Sequence, residues 1–234
     1  MSNDTIALAI SYAYATGLLV FGEALRLWGV KPELTRKVIH IGAGMWVFGV
    51  LLLFDRWQFG ILPFATFIVI NFLLYRYRAI GAMDTEDSSP GTIYFAISVT
   101  LLFGLLWRPE GPVDRVPIAV AGVMAMTWGD ALAALIGKRF GQHRYQIGQS
   151  DRTFEGSTAM FVASAIAIFL VLLLLPGSSL SPLSTPLSMG RSLLVALVGA
   201  LSATIVEAVS PHGTDNLSVP LVAAGVIWLM LQVF

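Results

Sequence analysis

Cysteine is absent and charge is scarce. Without cysteine, disulfides, thiolate metal sites and cysteine nucleophiles are all excluded. Charged residues fill 12% of the 234 positions, about half the roughly 25% usual in soluble globular proteins. They balance to a net charge of zero, which leaves no bulk basic surface of the kind that binds nucleic acid. Gly-x4-Gly-Lys-Ser/Thr, Gly-x-Gly-x-x-Gly and His-Glu-x-x-His are also missing. P-loop, dinucleotide-fold and zincin chemistry therefore lack their motifs. Met1 to Thr5 has no basic run, so the first apolar stretch reads as a membrane span and not as a cleaved signal.

Apolar sequence is what the chain has in quantity: 56% of residues are hydrophobic and mean hydropathy is +0.79. Crossing the hydrocarbon core takes about 17–25 apolar residues. Eight runs fit: Ile6–Leu25, Val38–Phe54, Gln58–Tyr75, Thr92–Trp107, Val116–Ile136, Ser157–Leu175, Ser192–Val209 and Leu217–Phe234. Lipid offers backbone polar groups no partners, so runs this long must be helical. The expectation is an all-α polytopic bundle of about eight spans (seven to nine), forming one domain over residues 1–234 without a visible repeat. The second and fourth spans are short, as in tilted or partly re-entrant helices. Trp28, Trp57 and Trp107 lie near span ends, where interfacial anchors concentrate. Three linkers are long: Arg76–Gly91, Gly137–Gly156 and Pro176–Gly190. The last is Ser/Pro/Leu-rich and nearly uncharged, and reads as a plain connector.

With the N-terminus outside, the inner loops hold Arg26, Lys31, Arg36, Lys37, Arg76, Arg78, Lys138, Arg139, Arg144 and Arg152. The outer loops hold Arg56, Arg108, Arg115 and Arg191. This asymmetry predicts both termini outside and the crowded face in the cytoplasm.

Four stretches on that face carry more polar chemistry than a lipid-packed bundle requires. In the first, Pro32 can start a short helix, Arg36 and His40 fall four apart on one helix face, and Lys37 lies beside them. Gly42 and Gly44 follow and permit close approach of a helix or ligand. From the residues alone, a cytoplasmic anchor with an interfacial histidine is the favoured reading of this stretch. In the second, Asp130 sits inside an apolar span, where a carboxylate costs about 2.5–3.5 kcal/mol. A cation, a metal or a wet cleft must offset that cost, and a plain interhelical ion pair is the structural alternative.

The third stretch spans Gly137-Lys138-Arg139-Phe140-Gly141, His143-Arg144-Tyr145 and Arg152-Thr153-Phe154-Glu155-Gly156-Ser157. Its glycines and cations are what polyphosphate binding uses. Glu155 suits Mg²⁺ or a helix N-terminus, and a basic loop drawn to anionic lipid has the same composition. The fourth joins Glu207-Ala208 to His212-Gly213-Thr214-Asp215-Asn216. Its carboxylate and carboxamide oxygens suit Mg²⁺. Helix capping accounts for Asp215 or Asn216 but not for Glu207 as well. Acids for a divalent cation beside bases for phosphates describe a phosphoryl-transfer site, here at a lipid interface.

In this order, Arg36-Lys37-x-x-His40, Gly91-Thr92-x-Tyr94-Phe95, Gly129-Asp130-Ala131-Leu132-Ala133, Gly137-x-x-Phe140-Gly141, Thr153-Phe154-Glu155-Gly156-Ser157 and Glu207-Ala208…Asp215-Asn216-Leu217-x-Val219-Pro220 resemble the phytol kinase/dolichol kinase family of CTP-dependent lipid kinases. The resemblance covers roughly residues 36 to 220. Arg152-Thr153 stands where that family usually has Lys-Ser, which keeps charge and hydroxyl but puts a planar fork in place of a point charge. The neighbouring phosphatidate cytidylyltransferases share part of the run. Their C-terminal Lys-Asp and Pro-Gly-His-Gly-Gly signature is missing here.

The resemblance implies transfer of the γ-phosphoryl group of CTP to a prenyl alcohol, phytol above all, in isoprenoid salvage toward tocopherol. Other lipid alcohols (dolichol, diacylglycerol) and the cytidylyltransferase reaction are the enzymatic alternatives, and a membrane transporter is the non-enzymatic one. Arg36, Lys37, Lys138, Arg139, Arg152, Thr153, Gly156 and Ser157 are then expected to hold the nucleotide phosphates. Asp130, Glu155, Asp215 and Asn216 are expected to hold Mg²⁺. Asp130, Glu207 or His40 would accept the alcohol proton. A cyanobacterial member of this family would sit in the plasma or thylakoid membrane.

Overall fold

The computed structural model of the chain describes residues 3–77, 90–148, 150–211 and 213–233; Arg78 and His212 lie outside them. The chain runs back and forth as α1 (Asn3–Leu27), α2 (Pro32–Leu53), α3 (Trp57–Gly60), α4 (Leu62–Tyr77), α5 (Gly91–Leu106) and α6 (Val116–Phe140). A hairpin of β1 (Arg144–Ile147) and β2 (Ser150–Thr153) follows, then α7 (Phe154–Leu174), α8 (Met189–Val209) and α9 (Asp215–Val233). Seven helical stretches among the described residues are long and apolar enough to cross a membrane, α3 and α4 together making one of them. The eighth, α5, is shorter at 16 residues. The all-α polytopic bundle is therefore what the chain forms, with the small hairpin added.

Helix α6 is the hub. It packs on α2, α5, α7 and α9, while α1 lies on α2, α4 on α5, and α8 on α7 and α9. Its sequence, rich in Ala, Val, Met and Gly, is buried on nearly every side from Val116 to Ala133, as expected of a helix that is apolar all round. Small residues let neighbours approach. A Cβ at Gly122 would stand 2.5 Å from the Pro220 carbonyl of α9, and one at Gly129 would meet Ser164 and Met160 of α7. Farther along, Gly137 and Gly156 face each other where α6 and α7 cross.

Three expectations change. Pro32 does not start a separate short helix, because it occupies the first turn of the continuous α2. Arg36, Lys37 and His40 thus sit on a 22-residue membrane helix. Gly42 and Gly44 do give the close helix approach expected of them, against Leu18 of α1 and Thr127 of α6. Trp107 is no interfacial anchor: at 2% exposure it is core, edge-on to Phe103 and seated against Gly60. Trp28 is exposed, as an anchor should be.

The third change concerns the Ser-rich linker, which is more than a connector. Ser181 and Ser184 are buried. Ser181 Oγ donates to Asp114 Oδ2 at 2.8 Å, and Ser184 Oγ donates to the Asp114 carbonyl at 2.5 Å. Asp114 Oδ1 in turn accepts from the N–H groups of Arg108 and Val116. The linker therefore seals the start of α6.

Candidate active site

Two cavities, each of about 290 Å³, open at the end where α2, α5, α7 and α9 begin. One runs between α1, α2, α4 and α5 and is walled by Tyr14, Trp46, Phe64, Phe67 and Phe95, with Arg36, Lys37 and His40 at its polar mouth. The other lies between α6, the hairpin, α7 and α8, among Lys138, Arg152, Thr153, Gly156, Ser157 and Glu207. Asp130 and Asp215 line both, so the two carboxylates mark where an apolar space meets a polar one.

Asp130 projects from the middle of α6 toward α2. Its Oδ2 accepts from Lys37 Nζ at 2.6 Å and lies 3.6 Å from His40 Nε2. Asp130 and Lys37 are each 15% exposed at the side chain. Lys37 is therefore the cation that lets a carboxylate reside in this span. His40 Nε2 also lies 3.4 Å from the Met126 carbonyl of α6, and its ring tilts against Phe95 of α5. Among the described residues Asp130 Oδ1 takes no hydrogen bond.

Arg152, at the end of β2, reaches into the turn between α8 and α9. Its Nε lies 2.6 Å from Glu207 Oε1, and one terminal nitrogen lies 3.4 Å from Asp215 Oδ2 and from the carbonyls of Glu207 and Ser210. Ser150 Oγ ties the same strand to the Ser210 carbonyl at 2.8 Å. The hairpin thus fixes the C-terminus of α8 and the start of α9, where Asp215 Oδ1 accepts from the Asn216 backbone and carboxamide.

The phosphate-binding candidates divide. Lys138 lines the polar cavity and pairs with Glu33 of α2. Thr153 caps α7 by accepting from the Gly156 N–H, and Ser157 Oγ meets the Tyr145 hydroxyl at 2.5 Å. Arg139 lines neither cavity and stacks on Phe140. Glu155 is also outside both: His143 Nδ1 lies 2.7 Å from its Oε1, and the His143 N–H donates to it. Glu155 therefore does not join Asp130 and Asp215.

A divalent cation has oxygens to bind. Among the described residues Glu207 Oε2 is buried without a hydrogen-bond partner and Asp130 Oδ1 takes no hydrogen bond; Asp215 stands at the same junction with Asn216 beside it. Among the described residues no three His, Asp or Glu side chains are grouped tightly enough to hold a metal alone. Mg²⁺ does not need that, since it commonly takes one or two carboxylates plus substrate phosphates and water. The donor set fits.

Sequence reasoning missed the hairpin, with Arg144 and Asp151 at the rim of the polar cavity, and the aromatic wall of the apolar one. One signal was present: Asn71, a carboxamide inside an apolar span, donates to the Thr92 carbonyl of α5 and lines that wall.

Comparison with known proteins gives a consistent result. The chain is 31% identical over 228 residues to the phytol kinase of Synechocystis sp., covering 95% of this chain and 91% of that one. This chain belongs to the phytol kinase/dolichol kinase family. A further member, probable phytol kinase 2, chloroplastic, of Oryza sativa, is 28% identical over 239 residues, 94% of this chain and 74% of its own. Dolichol kinase sec59 of Schizosaccharomyces pombe is 34% identical over 140 residues, 60% of this chain and 24% of the yeast protein. No protein-family profile and no solved structure matches. For this family member, the paired cavities give the motif residues a spatial logic: Lys37 and His40 belong to the apolar side, Lys138, Arg152 and Thr153 to the polar side, and Asp130 and Asp215 to both.

Proposed function

We propose that this chain is a prenol kinase that transfers the γ-phosphoryl group of CTP to phytol, giving phytyl monophosphate and CDP at the cytoplasmic face of its membrane. The observation that carries the reading is the meeting of an apolar and a polar cavity at Asp130 and Asp215. A lipid alcohol and a nucleotide arrive from chemically opposite solvents and need such a junction.

In this reading the prenyl chain lies along the aromatic wall and presents its hydroxyl to Lys37, His40 and Asp130. The triphosphate enters between Lys138, the hairpin and the Gly137/Gly156 crossing. Asp130, Glu207, Asp215 and Asn216 would hold Mg²⁺, which when bound would neutralise phosphate charge. The alcohol oxygen attacks the γ-phosphorus, CDP leaves, and His40 takes the hydroxyl proton. His40 is assigned that role because it lines the alcohol side, whereas Glu207 lines only the polar side and is paired with Arg152. Phosphoryl transfer of this kind relies mainly on positioning and charge neutralisation.

Purified protein supplied with phytol, Mg²⁺ and γ-labelled CTP is expected to yield labelled phytyl phosphate. Absence of label transfer to any lipid alcohol overturns the reading. Formation of a CDP-lipid from phosphatidate and α-labelled CTP selects cytidylyl transfer instead.

A further inference from the structure

The apolar cavity has an end inside the membrane. Its lining runs no farther than Ser11 on α1, Trp46 on α2, Pro63 and Phe64 on α4, and Val99 on α5. Below that level the bundle is solid. Phe103, one turn beyond Val99, is fully buried. Its ring lies 5.7 Å from Phe64 and 5.8 Å from Trp107, and Val50 and Trp107 close against Gly60. Phe64 is 9% exposed and Val99 1%, so neither has room to swing aside in a close-packed interior. Between α1 and α4 the wall is also pinned near this depth, by the 2.8 Å contact of the Tyr12 hydroxyl with Thr66 Oγ1 and by the stacking of Tyr12 on Phe67.

We infer that Phe64 and Val99, backed by the Phe103–Trp107 stack, are the floor that sets the length of prenyl chain this enzyme accepts. The inference rests on the proposed prenol kinase activity and adds to it a ruler. The alcohol is fixed at one end by Lys37, His40 and Asp130. The opposite end of the chain must then stop where Phe64 and Val99 stop it. Cavity length, and not the polar mouth, thus discriminates one isoprene homologue from the next. A single methylene in an apolar pocket is worth about 10–200-fold in kcat/KM, so a floor displaced by one aromatic ring changes the preferred homologue.

The test is a chain-length profile. Geraniol, farnesol, geranylgeraniol, phytol and geranylfarnesol are compared at fixed CTP with the full-length protein in lipid nanodiscs, reading kcat/KM for each. Phe64→Ala deepens the cavity and is expected to raise the ratio of geranylfarnesol to phytol by about tenfold or more. Val99→Phe raises the floor and is expected to shift preference toward farnesol by a similar factor. Opposite shifts in two variants cannot arise from a general loss of folding, and Phe64→Leu gives a milder deepening should the alanine variant express poorly. If the unaltered protein phosphorylates no prenol, the functional reading and the floor fall together. If it phosphorylates prenols with a length profile that these variants leave in place, the floor alone is overturned and the chain leaves the cavity sideways into lipid.

Discussion

At the end of the bundle away from the cavities, carboxylates are saturated by backbone N–H groups, an arginine and a serine. Asp4 accepts from the Asp55 N–H and from Arg56 Nε, and Asp114 accepts from two backbone N–H groups and Ser181. At the cavity end, Glu207 and Asp215 are buried to a similar degree and Asp130 somewhat less, its side chain 15% exposed against 3% for Asp4; all three are held mainly by long cations, Lys37 and Arg152. Each of the first two keeps an oxygen in reserve: Asp130 Oδ1 takes no hydrogen bond among the described residues, and Glu207 Oε2 is buried without one. Burial of an acid therefore does not by itself mark function. What separates the two ends is whether the acid's hydrogen-bonding capacity is spent on holding the fold or left facing a space that a ligand can enter.

The sharpest way to break this contrast is at Asp130. Asp130→Asn keeps the shape of the side chain but removes its charge, and kcat is expected to fall by about 10²–10³-fold, the usual cost of removing one preorganised electrostatic group. Because the change leaves Lys37 buried without its partner, which destabilises on its own, the Lys37→Gln/Asp130→Asn double variant serves as control. It is expected to recover thermal stability in detergent and to remain inactive. Activity that returns with stability would make the pair structural, like Asp4 with Arg56.

Arg152→Lys is expected to have the next largest effect. Lys can reach Glu207 or Asp215 but cannot span both as the planar fork does. A loss of about tenfold in kcat/KM is expected, the equivalent of one ordinary charged hydrogen bond of about 1.5 kcal/mol. The split of that loss between constants is informative. If Arg152 positions Asp215, kcat falls. If it only binds phosphate, KM for CTP rises and kcat stays.

At the opposite end, Asp114→Ala leaves two backbone N–H groups and a serine hydroxyl without their acceptor. Each buried unsatisfied group costs about 1–3 kcal/mol. A clear drop in the thermal unfolding midpoint is expected, while kcat/KM per folded molecule stays within about twofold, as for sites distant from one another. An equal loss of activity and stability would show that the two ends are coupled and that the distinction drawn between them is too strong.

Much of this architecture could be read from the residues. Among the described residues, seven of the eight apolar runs became helical stretches long enough to cross a membrane and the eighth became the shorter α5, because in lipid the backbone leaves no alternative. Asp130 stood out because a carboxylate in an apolar span demands a partner, although the sequence could not say that Lys37, 93 positions away, supplies it. The hairpin was hidden because each strand is only four residues long and Ser150–Thr153 has no apolar residue; its ties to α8 and α9 come from Ser150 and Arg152 of β2. The aromatic cavity was hidden for a different reason. Tyr14, Phe64 and Phe67 look the same in sequence whether they face lipid, core or a ligand, and only the arrangement of four helices decides. Trp107 was misread by the same ambiguity.

The smallest expected effect is at Glu155, where sequence and structure part. Its place in Thr153-Phe154-Glu155-Gly156-Ser157 suggests a metal ligand. In the fold it begins α7 and turns to His143, outside both cavities, with its side chain 26% exposed. An acid in the first turn of a helix is favoured by the helix dipole by about 0.3–1 kcal/mol, and here it also fastens the start of the hairpin to α7. Glu155→Gln preserves most of these contacts, since an amide oxygen still accepts from the His143 N–H. Activity is expected to fall by no more than about threefold, within the range of that dipole and hydrogen-bond change, and the Mg²⁺ concentration giving half-maximal rate is expected not to move. Glu207→Gln, on the cavity side of the same clamp, is expected to move it. If Glu155→Gln instead raises the Mg²⁺ requirement about tenfold while Glu207→Gln does not, the donor set must be redrawn. The contrast between acids that build the fold and acids that face the cavities would then need a third member that does both.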